Sequence, residues 1–113
     1  MQNISKIQQH LKRILDAINK IDLYMWNHNI DILETDGLRL DACLMQLIHI
    51  WEIMNKIIKH DTTFSLWTIE SHRVIGLRNF AAHDYLGLNI SVIQKIIQHN
   101  IPELKKAIEE YLK

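Results

Sequence analysis

The sequence predicts an all-α fold: a four-helix up-down bundle with one or two additional short helices, forming a single domain over residues 1–113. Three observations predict it. Apolar residues recur at three- and four-residue steps along most of the chain, no segment alternates in the manner of a strand, and one proline and three glycines leave few interruptions. A chain of 113 residues is long enough for one core of packed helices and too short for a second domain with its own.

The first helix is marked by Ile4, Ile7, Leu11, Ile14, Ile18, Ile21 and Met25, which alternate three- and four-residue steps and so fall on one stripe. The polar run NHNIDILETDG ends it. A second helix follows on Leu40, Leu44, Leu47, Trp51, Met54 and Ile58, with Asp36 as its N-cap. Further apolar residues at Cys43, Ile48, Ile50 and Ile57 leave this helix little polar face, which predicts a central element or a subunit interface. After KHDTTFS a third helix is predicted from about Leu66 to the region of Ala82, with Gly76 inside it costing about 1 kcal/mol relative to alanine. Gly87 is a C-cap candidate and Asn89 an N-cap candidate for a short helix carrying Val92, Ile93, Ile96 and Ile97. A last helix is predicted with Pro102 in its first turn, where the missing N–H costs nothing, and with Leu104, Ala107, Ile108, Tyr111 and Leu112 on its core side.

Composition excludes several classes of function. Thirteen basic residues balance thirteen acidic ones, so no global positive field favours a nucleic-acid coating protein, although a few local cations suffice to hold one or two phosphates. No apolar run reaches the roughly 18 residues of a membrane span, and MQNISKIQQHLKRIL is too polar for a signal peptide, so a soluble, cytoplasmic protein is expected. Cys43, the lone cysteine, sits in the apolar run ACLMQL and reads as a buried thiol. The seven histidines stand at 10, 28, 49, 60, 72, 83 and 99; no two are four apart and no Glu-x-x-His unit occurs, so neither a metal site nor a cofactor is expected. Phosphate-loop and nucleophile-elbow motifs are missing as well. Trp26, Trp51 and Trp67 read as core or interface anchors in preference to base-stacking platforms.

The stretch that carries chemistry is RNFAAHDY, residues 78–85. A guanidinium such as that of Arg78 grips phosphate with a planar fork and stabilises the extra charge of a pentavalent transition state. The imidazole of His83 is a proton carrier at neutral pH. Together they suit metal-free RNA cleavage, in which the ribose 2′-hydroxyl attacks its own phosphodiester. Five residues at about 100° place the two side chains about 140° apart, with about 7.5 Å of rise, so convergence needs the helix to end or distort near His83. Cleavage also needs both a base and an acid, which two copies of the motif across a dimer cleft would supply. Asn79 is placed to position the arginine or donate to phosphate, and Asp84 to orient a donor. Without chemistry, the same residues read as an exposed arginine, a histidine favoured by a helix C-terminus and a tyrosine packed on the bundle.

Over VIGLRNFAAHDYLGLNISVIQKIIQHNIPELKKAI, residues 74–108, and more weakly over DACLMQLIHIWEIMNKI, the chain resembles the HepT-like HEPN toxins. These are small helical proteins paired with a minimal nucleotidyltransferase antitoxin. The resemblance implies a HEPN-like domain and a homodimeric, metal-independent endoribonuclease with Arg78 and His83 catalytic. It makes Asn79 the polar residue that follows the arginine and Tyr85 the acceptor of AMP from the antitoxin, which would place added negative charge beside Arg78. RNA and the antitoxin are the implied partners. Where similar proteins usually read Ile-Gly-Glu, this chain reads Ile50, Trp51, Glu52. A catalytically silent helical partner of a nucleotidyltransferase is the alternative reading.

Overall fold

The computed structural model describes residues 2–60 and 89–113. All the described elements are helical, and no strand occurs among the described residues. Helix α1 spans Gln2–Tyr24. Its predicted stripe is the buried one: Ile7, Leu11, Ile14, Ile18 and Ile21 are buried, with Ala17 beside them and Met25 half-buried at the end. The helix closes through Met25 N–H donating to the Ile21 carbonyl at 2.9 Å and His28 N–H donating to the Met25 carbonyl at 3.1 Å. Asn27 then takes a left-handed backbone, φ 61°, a conformation that asparagine accepts more readily than most side chains.

A five-residue 3₁₀ turn, Ile30–Glu34, follows and buries Leu33. The sequence reading treated this stretch as plain connection; Leu33 is what anchors it to the core. Helix α2, Gly37–His60, starts at the predicted cap. The Asp36 carboxylate accepts the Arg39 backbone N–H at 3.1 Å and the Arg39 Nε–H at 3.2 Å. The same guanidinium donates through Nη1 to the Tyr24 carbonyl, one of the acceptors that the last turn of α1 leaves unsatisfied. Arg39 therefore fastens the end of α1 to the start of α2, and the two helices run antiparallel and packed along their length.

Helix α2 supplies Cys43, Leu44, Leu47, Ile50, Trp51, Ile53, Met54 and Ile57 to the core, more buried residues than any other described element. Trp51 lies inside at 6% exposure. Its indole fills core volume between helices.

Helix α3, Ile90–Lys95, begins at Asn89, whose side chain accepts the Ser91 N–H at 3.0 Å as the cap expectation requires. Pro102 stands in the first turn of α4, Ile101–Tyr111, as predicted. No break separates that helix from α3: the backbone passes through a π turn, Ile96–Asn100, with helical dihedrals at Lys95, Asn100 and Ile101. Pro102 has no N–H and its ring crowds the carbonyl four residues back, and the wider i→i+5 turn just before it lets the helix continue.

Two long-range contacts orient this segment. Gln94 Nε2 donates to the Ile30 carbonyl at 3.2 Å, and Lys105 Nζ meets Asp22 Oδ2 at 3.4 Å. The segment thus begins beside the α1–α2 turn and runs back along α1, antiparallel to it. Ile93, Ile96, Ile97, Ile101, Leu104 and Ile108 close the core from this side.

Leu47 is 1% exposed at the centre of this core, so Leu47→Ala is expected to cost about 2–5 kcal/mol in urea unfolding. The Arg39 backbone N–H, followed by its guanidinium charge, holds the Asp36 carboxyl below its ordinary value of 3.8. A depressed carboxylate stabilises the fold above that ordinary value and loses its contribution as pH falls through the lower, folded-state value. Asp36→Ala should therefore lower Tm at neutral pH, and the gap from the unsubstituted protein should narrow as the pH is taken well below 4.

Candidate functional site

The two ends of the described bundle differ in charge. Where α1 begins and α2 finishes, Lys6, Lys12, Arg13, Lys56 and Lys59 stand exposed against Glu52. At the α1–α2 turn the charges are nearly even: Asp22, Asp31, Glu34, Asp36 and Asp41 face Lys20, Arg39, Lys95 and Lys105. The turn end also holds the described concavities. An open cleft of about 460 Å³ is lined by Asn27, His28, Asn29, Asp31, Ile32 and Thr35. A second, of about 290 Å³, is lined by Tyr24, Asp36, Leu38, Arg39 and Ala42.

The residues singled out by the sequence, Arg78, Asn79, His83, Asp84 and Tyr85, all lie outside the described residues, as does Trp67. Asn89, the first described residue after the motif, caps the helix that Gln94 ties to Ile30.

Of the other sequence candidates, Trp51 is the core anchor expected, whereas Trp26 is 76% exposed and packs into no core. Of the two readings given for it, core or interface anchor, this position excludes the core. The signal was the run Trp26, Asn27, His28, Asn29, in which a large aromatic borders three polar residues just past the apolar stripe. His28, His49 and His99 are exposed and His10 is half-buried. No group of three or more potential metal ligands comes together among the described residues. No helix among them is long and apolar enough to cross a membrane.

The match to known proteins extends beyond the motif to nearly the whole chain, for the model of the family described as Ribonuclease HepT-like fits residues 14–111. The chain belongs to the HepT-like ribonuclease family. The match takes in α1 from Ile14 onward, α2, α3 and α4 to Tyr111, together with the sequence RNFAAHDY. Among relatives, the chain is 35% identical over 37 residues to an mRNA nuclease HepT of Shewanella oneidensis, an alignment that covers 33% of this chain and 28% of that protein. It is 23% identical over 104 residues to a Methanocaldococcus jannaschii protein named as a candidate RNase, covering 91% of this chain and 94% of the archaeal one. No solved structure matches the chain significantly.

Within this HepT-like chain, Cys43 is fully buried, and burial pushes its thiol up to about 11 against the opposing pull of the Arg39 charge. Native protein at pH 8 should therefore resist thiol alkylation, with one equivalent of label appearing only after denaturation. Rapid labelling of folded protein would contradict this placement.

Proposed function

We propose that this chain is the endoribonuclease toxin of a toxin–antitoxin pair, acting without a metal at Arg78 and His83. The observation that carries this reading is the motif RNFAAHDY standing inside a HepT-like match that covers residues 14–111. The relatives named as nucleases support it. The proposed architecture is a single cytoplasmic domain over residues 1–113, a four-helix up-down bundle of the HEPN kind, working as a homodimer.

The chemistry follows from the residue types. One imidazole takes the proton from the ribose 2′-hydroxyl as that oxygen attacks the adjacent phosphorus. A second imidazole, His83 of the partner subunit, gives a proton to the departing 5′-oxygen. The products are a 2′,3′-cyclic phosphate and a free 5′-hydroxyl, and the proton count balances across the two histidines. Arg78 holds the non-bridging oxygens as charge accumulates on them. Asn79 positions the guanidinium or donates to phosphate, and Asp84 orients a donor.

Tyr85 is the proposed control point. Its phenolic oxygen attacks the α-phosphorus of ATP in the partner nucleotidyltransferase, losing its proton and releasing pyrophosphate. The resulting AMP ester brings a phosphate next to Arg78, where it competes with RNA. A catalytically silent binding partner of the nucleotidyltransferase is the second reading, favoured by one observation: thirteen basic residues are balanced by thirteen acidic ones, so no net positive charge draws RNA to the chain.

RNA cleavage should persist in excess chelator and fall by about 100-fold or more in Arg78→Ala and in His83→Ala, each checked for folding by circular dichroism. Cleavage retained within tenfold in either folded variant refutes the assignment. A partner complex with neither RNA decay nor growth inhibition selects the silent-partner reading. Incubation with the nucleotidyltransferase and ATP should add one AMP mass to the wild type and none to Tyr85→Phe, with peptide mass spectrometry locating the ester.

A further inference from the structure

We propose that the cleft at the α1–α2 turn is a base subsite, where Trp26 stacks an unpaired RNA base bearing an exocyclic amino group and Asp31 accepts from that group. The proposal rests on the ribonuclease reading and deepens it by assigning part of its substrate recognition.

The charges at this end nearly cancel, five carboxylates against Lys20, Arg39, Lys95 and Lys105, with Asp22 paired to Lys105 and Asp36 to Arg39. The cleft wall itself carries one carboxylate, Asp31, beside neutral polar groups suited to the uncharged face of a nucleotide. The side chains of Asn27, His28 and Asp31 hold no hydrogen bond to another described residue, and Asn29 makes no capping bond. Two amides, an imidazole and a carboxylate therefore present donors and acceptors to the cleft, whose volume of about 460 Å³ lies in the range of small-ligand pockets. A carboxylate accepts from the exocyclic amine of cytosine and, by the same chemistry, of adenine and guanine. Uracil has no such amine.

Trp26 stands one residue before this wall with its indole 76% exposed, and an exposed aromatic face is the surface on which an unpaired base stacks. The platform is held in place. Asn27 fixes the turn with its left-handed backbone, Leu33 roots the 3₁₀ turn in the core, and Gln94 bonds to the Ile30 carbonyl.

The test uses full-length protein and fluorescent 2′-O-methyl oligonucleotides, which lack the attacking hydroxyl and so report binding without cleavage. Cytidylate and adenylate oligomers should bind more tightly than uridylate. Trp26→Ala should weaken cytidylate binding at least about fivefold, Trp26→Phe should restore most of it, and Asp31→Asn should erase the preference over uridylate. Equal binding of cytidylate and uridylate by wild type, or unchanged affinity in Trp26→Ala, overturns the proposal. Unchanged RNA affinity with an altered sedimentation coefficient in Trp26→Ala also overturns it, and makes the patch a protein interface. The two readings fail separately: RNA cleavage by wild type without any Trp26 effect removes the subsite alone, and Trp26-dependent binding without cleavage removes the ribonuclease alone.

Discussion

Arg39 joins the last turn of one long helix to the first turn of the next, and the described structure is organised around that joint. Its guanidinium reaches the Tyr24 carbonyl while its backbone and Nε bind the Asp36 carboxylate. The Arg39–Asp36 pair thus answers unsatisfied groups of two helix ends: Arg39 donates to an acceptor left over from α1, and Asp36 accepts from a donor left over at α2. The joint sets the antiparallel pairing through which the stripes of α1 and α2 meet. It also holds the intervening residues, 25–36, as a compact turn against which α3 begins.

Much of the helical part was legible in the sequence because it depends on periodicity and capping chemistry, which are local. Ile7, Leu11, Ile14, Ile18 and Ile21 share a stripe by spacing and a core by structure. Asp36 and Asn89 cap the helices they were expected to cap. Three features escaped, each decided by something other than local pattern. The burial of Leu33 depends on where a neighbouring helix lies. Trp26 is exposed because α1 ends just before it, although its type alone suggests an interior residue. At Pro102 the usual stop signal is overridden by apolar residues on both sides that belong to the same core.

The site was legible in a different sense. Arg78, His83 and Tyr85 lie within eight residues of one another in a run whose chemistry is carried by side-chain type, and they stand inside the HepT-like match although they lie outside the described residues. What sequence alone does not convey is the setting. The zero net charge conceals a cationic cluster where α1 begins and α2 finishes, because charges distant in sequence, such as Lys6 and Lys59, are collected by antiparallel packing. A balanced total is thus compatible with a strong local field.

The π turn before Pro102 has a geometric effect of its own. Ile93, Ile97 and Ile101 are spaced four apart, and in a regular α-helix each such step overshoots a full revolution by about 40°. A wider coil advances fewer degrees per residue, so these three isoleucines stay nearly aligned along the axis and hand the row on to Leu104 and Ile108. The imino acid thereby works as a phase corrector. An ordinary residue at position 102 would permit a tighter winding that swings the two halves of this long helix out of a common inward-facing line.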